Sequence, residues 1–284
     1  MMILAIDIGG SSVKSAIYDG ALQGKQQFDS PLTWLAMAEK LDALISNYRQ
    51  EYEIERIAFS VPGVPNKKTG WLEGASSLPY LHDVPFIDYF QKKHQLPVTF
   101  ENDANCACQA EMALGQGQSA KNIVFLVIGT GIGGVTVLDG EIRSGQHYYG
   151  GEYGMMLVDG RHEWSILGSA VHMARKYSQG KDRDFSGQEV FALAEAGDQL
   201  AQSLCHDLYH YLALGLYNLQ YIIDPELFIL GGGITQHPEL LENIEKALTE
   251  IMSYGQRCPL RPNIKLATFK NDANLIGAAL TKIN

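Results

Sequence analysis

Positive charge is the first thing this chain is short of. Its 22 Lys and Arg face 32 Asp and Glu, a formal net charge of −10. That balance argues against nucleic acid and anionic membrane surfaces as partners, and a divalent cation with a neutral or metal-complexed substrate fits better. Long apolar runs are missing as well. The most apolar segment, residues 123–138, is interrupted by glycines and threonines and does not read as a membrane span. The start lacks a basic region and meets Asp7 almost at once, so no signal peptide is expected. Cysteine is scarce, with four residues at 106, 108, 205 and 258. Cys106 and Cys108 form a C-x-C on a predicted helix with no second Cys or His pair near enough in sequence to complete a zinc site. Buried free thiols in a reducing, cytoplasmic setting are the expected account. No low-complexity run or disordered tail is present.

What remains is ordinary globular material. The 284 residues, 46% hydrophobic and 19% charged, suffice for one large domain or two of moderate size. Residues 3–8 read as an apolar strand, Gly9-Gly10-Ser11-Ser12 as a turn and 13–18 as a second strand, a hairpin signal. Helical spacing follows over 33–48, then a buried strand at 57–61 ended by Pro62-Gly63. Residues 65–85 read as a long ordered loop with interleaved aromatics. A helix at 86–94, a strand at 97–100 and a helix at 102–114 complete the first set. After a polar hinge at 115–119 the opening repeats: strand 123–128, glycine turn, strand 135–138. This echo predicts two related α/β halves. Helices are expected at 164–177, 186–196, 199–223, 238–253 and 273–283, and strands at 227–230 and 264–268.

Three polar sites stand out. Glu101-Asn102-Asp103-Ala104-Asn105 opens a helix directly after a strand, where free N–H groups and the positive dipole end favour a polar ligand. A carboxamide beside a carboxylate suits a sugar hydroxyl: Asn102 can orient neighbouring hydroxyls and Asp103 can take the proton of the one that reacts. The same residues would also serve as a plain N-cap. In Asp7-Ile8-Gly9-Gly10-Ser11-Ser12-Val13-Lys14, glycines let the backbone approach phosphate oxygens, Asp7 could hold a hydrated magnesium ion, and Lys14 offers a point charge. A plain hairpin turn explains that stretch equally well. Gly129-Thr130-Gly131-Ile132-Gly133-Gly134 satisfies G-x-G-x-x-G, but a β-branched strand follows it where a dinucleotide site needs a helix. A second phosphate-binding hairpin is the better reading. Gly231-Gly232-Gly233, between a strand and a helix, could admit a nucleoside.

Taken in order, these motifs resemble the ROK sugar kinases, which have the two-domain actin-like ATPase (ribonuclease H-like) α/β fold with an interdomain cleft. The resemblance covers nearly the whole chain. It implies a smaller domain of residues 1–115 with a C-terminal helix at about 272–284, and a larger one of 116–271. It implies ATP-dependent transfer of a phosphoryl group, with Mg2+, to a sugar 6-hydroxyl. Asp103 falls on the general base. Asn102, Glu152 and Glu163 fall on sugar-binding positions, with Gly63 and Ser77 as further contacts. Asp7, Gly9, Gly10, Ser11, Ser12, Lys14, Thr130, Gly131, Gly231, Gly232 and Gly233 fall on the ATP side, with Asp7 holding the metal through water. Asp224-Pro225-Glu226 is similar to the approach to the nucleoside motif. The chain departs from the family where Met155 replaces a His that binds sugar and zinc, and the cysteine cluster after it is missing. No zinc is therefore expected. Ser77 stands where glucokinase-like members carry Asn. With Trp71, Tyr80, Tyr148, Tyr149 and Tyr153 nearby in motif order, though packing explains these aromatics at least as well, the departures point to a roomier pocket and a β-glucoside such as cellobiose, with glucokinase and N-acetylmannosamine kinase as rivals. A non-catalytic sugar-sensing regulator is the reading from another class. It is disfavoured by retention of Asp103 and the phosphate turns. Family members are often dimers, and helix 199–223 could be core or interface.

Overall fold

A computed structural model describes residues 2–74, 76–82, 84–254, 257 and 259–283. In chain order the elements are β1 (Ile3–Ile8), β2 (Ser12–Tyr18), β3 (Leu22–Asp29), α1 (Trp34–Glu51), β4 (Arg56–Val61), β5 (Val64–Asn66), β6 (Trp71–Glu73), α2 (Phe86–His94), β7 (Val98–Asn102) and α3 (Asp103–Leu114). There follow β8 (Ile123–Ile128), β9 (Ile132–Leu138), β10 (Glu141–Ile142), α4 (Trp164–Leu167), α5 (Ala170–Ser178), α6 (Gly187–Glu195), α7 (Gln199–Ile223), β11 (Leu227–Gly231), α8 (Leu240–Tyr254), β12 (Ile264–Leu266) and α9 (Ala273–Leu280). The chain divides into two compact units, Met1–Ala113 with Asn271–Asn284, and Leu114–Lys270.

Unit 1 is built on a sheet of order β3-β2-β1-β4-β7. β1 pairs antiparallel with β2 and parallel with β4, and β4 runs parallel to β7. Every residue of β1 and β4 is buried, as strands covered on both faces require. The parallel register brings Asp7 opposite Ser60, Ser60 opposite Glu101, and Val61 opposite Asn102. Polar residues thus collect where three parallel strands end. One face carries α1, capped by Thr33 and burying Met37, Leu41, Ile45 and Tyr48, together with an aromatic cluster of Trp34, Phe59, Phe86, Phe90 and Phe100. On the other face α9 packs through Leu275, Ala278 and Ala279 against Ile3, Ala5, Ala16 and Ala58.

Unit 2 repeats the plan with order β10-β9-β8-β11-β12. β8 is antiparallel to β9 and parallel to β11, which is parallel to β12. The predicted repetition of a hairpin-led half is present, and it is the arrangement of the actin-like ATPase fold. α7 runs over the predicted 25 residues, with the Asp198 side chain accepting the Ala201 N–H at its start. Its Leu208, Leu212, Leu216 and Leu219 lie in the core of this unit.

Several elements differ from expectation for identifiable reasons. β3 has no apolar alternation, since five consecutive residues of it are exposed; it is an edge strand formed by its ladder with β2. The stretch 65–85 is broken by the hairpin β5–β6 and a 3-10 turn at Pro79–Leu81. The helix expected over 164–177 is two helices parted at Gly168 and Ser169. β7 extends through Asn102 because β4 gives it ladder partners that far. Cys106, Cys108 and Cys205 are buried free thiols, and Cys258 lies outside the described residues.

Gly277 marks how closely α9 approaches α3, because a Cβ there would sit 1.7 Å from the Cys106 carbonyl oxygen. Gly277→Ala is expected to destabilise unit 1 by about 1–3 kcal/mol or more, since the obstacle is backbone. A shift of the denaturant midpoint measured by circular dichroism would check this; an unchanged midpoint would mean that α9 can lift at no cost.

Candidate functional site

The junction of β7 and α3 places Asn102 and Asp103. Asn102 Oδ1 accepts the Asn105 N–H at 3.1 Å, the i to i+3 bond of an N-cap. Its Nδ2 donates to the Gly63 carbonyl at 3.0 Å. The carboxamide is therefore a cap and also a fixed strut, and its side chain hydrogen-bonds the Asp103 carboxylate as well. Gly63 itself needs its φ of +87° to present that carbonyl, and a Cβ there would meet the Glu73 oxygen at 3.1 Å. Glu101, buried, holds the same corner: its Oε1 accepts the Asn102 N–H (2.9 Å) and Asn105 Nδ2 (3.0 Å), and its Oε2 pairs with Lys67 at 2.6 Å.

Asp103 lies at the first residue of α3, where its Oδ1 accepts the Ala104 N–H at 2.8 Å. Burial pushes its carboxyl up to about 6; the Ala104 N–H pulls it down, and the charge of Asp7 pushes it further up. A carboxylate in that range is poised to take a proton near neutral pH. Asp7, buried at the end of β1, accepts Ser60 Oγ at 2.7 Å and Asn274 Nδ2 at 3.0 Å. Desolvation raises its pKa against the lowering by those two bonds and by Lys14, which faces it across the β1–β2 ladder.

The first glycine turn is tied at both ends. The Gly9 N–H donates to Ser12 O (3.0 Å), Ser30 Oγ donates to Gly9 O (2.6 Å), and the Ser30 N–H donates to Ser11 O (3.1 Å). Ser77 sits directly against it, since a Cβ on Gly10 would lie 2.7 Å from Ser77 Oγ. The residue expected to meet the sugar therefore also abuts the phosphate turn.

In unit 2 the second turn is shorter than expected. It comprises Gly129, Thr130 and Gly131, because β9 begins at Ile132 and takes in Gly133 and Gly134. Ser169 Oγ donates to the carbonyls of Gly129 (3.0 Å) and Thr130 (2.9 Å), and Ser165 Oγ accepts the Ile132 N–H at 2.9 Å. Gly231 ends β11, and Gly232, with φ +87°, lies so close to β8 that a Cβ would be 2.4 Å from Ile128 O. A 3-10 turn, Gly233–Gln236, follows, so the glycines do not open α8 directly. Glu226 is committed elsewhere: its Oε1 accepts the N–H groups of Lys121 and Asn122 and the Asn122 side chain. Asp224 caps α7 with positive φ.

Glu152 and Glu163 are both exposed, flanking a loop closed by the bridge between Leu157 and Glu163 and by the Trp164 N–H on Met156 O (2.7 Å). Met155 beside Glu152 is 56% exposed, as are Tyr148 and Tyr149 to a similar degree. Two of the aromatics near these motifs have fixed hydroxyl partners. Tyr153 is buried with its hydroxyl on Thr136 Oγ1, and the Tyr80 hydroxyl donates to Pro31 O. The supporting residues Ser60, Asn274, Lys67, Ser165 and Ser169 were not identified from sequence. Nothing local marks them, and register or distant packing brings them in. No cluster of three or more His, Cys, Asp or Glu able to hold a metal occurs among the described residues. Asp7, with one oxygen already met by two donors, suits a single contact to a hydrated cation otherwise held by its substrate.

The ROK family profile matches residues 3–283. The chain belongs to the ROK family. It is 31% identical to a β-glucoside kinase of Listeria monocytogenes over 98% of this chain and 96% of the relative. A ROK family protein from Streptococcus pneumoniae, solved in complex with sucrose, superposes with a TM-score of 0.89 at 35% identity, covering 98% of this chain and 96% of that one. A Listeria monocytogenes protein named as a candidate N-acetylmannosamine kinase superposes with a TM-score of 0.87 at 30% identity, covering 99% and 98%.

In this ROK chain Asn102→Ala removes both the cap and the tie to Gly63, and is expected to cost about 1–2 kcal/mol. Asn102→Ser keeps a capping oxygen without adding charge and lacks the donor to the Gly63 carbonyl, so its loss should come mainly from the tie. Chemical denaturation of the two variants side by side checks the order; equal losses would refute a separate role for the Gly63 bond.

Proposed function

We propose that this ROK protein is an ATP-dependent sugar kinase that phosphorylates the 6-hydroxyl of a glucose unit, with β-glucosides such as cellobiose as its preferred substrates. The observation that carries the catalytic part is Asp103, a carboxylate raised to about 6 at a helix start beside a doubly tethered Asn102.

In this reading Asn102 and the Gly63 segment of unit 1 hold the sugar, and Asp103 Oδ accepts the proton of the 6-hydroxyl as its oxygen attacks the γ-phosphorus and ADP leaves with the bridging oxygen. Glu152 and Glu163 of unit 2 are the further hydroxyl ligands. The N–H groups and hydroxyls of Gly9, Gly10, Ser11 and Ser12, and those of Thr130 and Gly131, meet phosphate oxygens, with Lys14 as a nearby charge. Gly231, Gly232 and Gly233 give the nucleoside a surface without side chains. Asp7 would hold Mg2+ through water, and the ion would supply charge neutralisation at the phosphates. Phosphoryl transfer needs positioning and electrostatics more than covalent help, which is what the tethered groups offer.

The choice of sugar rests on three supports. The relatives named as β-glucoside kinases in two Listeria species align over nearly their full length. The Streptococcus pneumoniae relative holds a disaccharide. Ser77 and Met155 stand where the family pattern has Asn and His, which makes the walls smaller and less polar. The second Listeria relative keeps N-acetylmannosamine as the rival sugar. An ADP-coupled assay over glucose, cellobiose, gentiobiose, N-acetylmannosamine and fructose decides among them. Turnover greatest on the disaccharides is expected. Turnover on N-acetylmannosamine or glucose alone would overturn the choice of sugar, and none on any sugar, with sugar binding intact, would favour a sensor.

Asp103→Asn should lower kcat by about 10²–10⁴-fold, the usual worth of a general base. The wild-type rate should rise with pH through about 6 as Asp103 loses its proton, and this limb should vanish in the variant. Stability should run the other way. A carboxyl whose folded pKa is raised binds more protons folded than unfolded, so its contribution is fully present below its ordinary pKa and lost as pH rises through about 6. Asp103→Asn should therefore melt higher than wild type at pH 7, with the gap closing towards pH 4. A variant that melts lower at pH 7 would refute the burial account.

A further inference from the structure

Every side chain of α9 is apolar except Asn274. That one carboxamide donates to Asp7 Oδ1 across 267 positions of sequence. Ser60 Oγ donates to the same oxygen. A buried carboxylate keeps its charge only where donors meet it, and two donors converging on one oxygen also stop the group from rotating. Oδ2 is then held in one direction. Asn274 is not needed as a helix cap, since the cap position is Asp272, whose side chain instead pairs with Lys25 at 2.7 Å.

α9 is in turn fixed along its length. Gly277 lies against the Cys106 carbonyl of α3, the helix that begins with Asp103. At the C-terminal end the buried Arg56 of β4 donates to the carbonyls of Ala279 and Thr281. One helix thus bears on Asp7 through a hydrogen bond and on the Asp103 helix through backbone packing.

We infer that Asn274 is a positioning residue for phosphoryl transfer: it locks Asp7 in the orientation that presents Oδ2 to the hydrated cation of the ATP complex. The inference rests on the reading of Asp7 given under the proposed function. The bond that Asn274 makes is to Asp7, so on this inference its removal weakens the linkage between cation and nucleotide and leaves the sugar site alone. Groups that orient a metal-binding carboxylate usually contribute about 10–100-fold in metal affinity or activity.

The test compares wild type, Asn274→Ala (which helix propensity favours), Asn274→Leu (same branching, no donor) and Ile276→Ala, which loosens the same helix without touching a polar group. Titration calorimetry of a non-hydrolysable ATP analogue with and without Mg2+ is run beside steady-state kinetics and melting curves. In both Asn274 variants the Mg2+-dependent gain in analogue affinity should fall about tenfold and kcat should fall with it. The sugar KM should stay within about twofold, as expected for an interaction not made with the sugar. Ile276→Ala should melt lower yet keep the Mg2+-dependent gain. Wild-type Mg2+ linkage in the Asn274 variants overturns the inference, and so does an equal loss of linkage in Ile276→Ala, which would make α9 a structural support only. A wild-type protein with neither Mg2+-linked nucleotide binding nor sugar turnover refutes the reading of the site itself, a separate result.

Discussion

The site in unit 1 depends on the burial of β1 and β4 on both faces. A strand covered on both sides cannot carry unpaired polar side chains along its length, so polar chemistry is confined to its ends. Three neighbouring strands, β1, β4 and β7, run parallel and stop together, and their last residues bring Asp7, Ser60, Glu101 and Asn102 into one row. Ligands in open α/β sheets bind outside the carboxyl ends of the strands for this reason. The hydrogen bonds from Ser60 to Asp7 and from Asn102 to Gly63 are consequences of that row.

Unit 2 meets the same constraint with fewer charges. β8 and β11 are parallel and lead into glycine turns, whose carbonyls are held by Ser169 and Thr235, while Ser165 accepts the N–H of Ile132 where β9 begins. A backbone turn braced by hydroxyl groups suits an anion, whereas unit 1 gathers carboxylates at its strand ends. No helix among the described residues is long and apolar enough to cross a membrane.

Several sequence signals proved to be local and therefore legible. The stretch around Asn102 and Asp103 carries both a strand end and a helix start within five residues. Helix α7 could be bounded because Asp198 caps it and Asp224 ends it. The glycine turns could be found, but not trimmed: Gly133 and Gly134 read as turn until the β8–β9 ladder claims them. β3 was illegible because an exposed edge strand needs no apolar pattern, only a partner. For Tyr153 and Tyr80 the hydroxyl partners, Thr136 and the Pro31 carbonyl, lie too far away in sequence to be read from it.

Sequence alone thus determined the order of the motifs, the α/β repeat, the candidate base and the absence of the family's cysteine cluster, all set by residue type and near-neighbour spacing. Tertiary structure alone decided what supports them. Asn274 reaches Asp7, Arg56 reaches Thr281, and Lys67 reaches Glu101 across separations that no local periodicity encodes. It also decided that Asn102 is a strut as well as a candidate ligand, since the Gly63 carbonyl arrives from another strand end. A motif is written along the chain, but the donors that fix its rotamers and charges come from wherever the packing of a buried sheet delivers them.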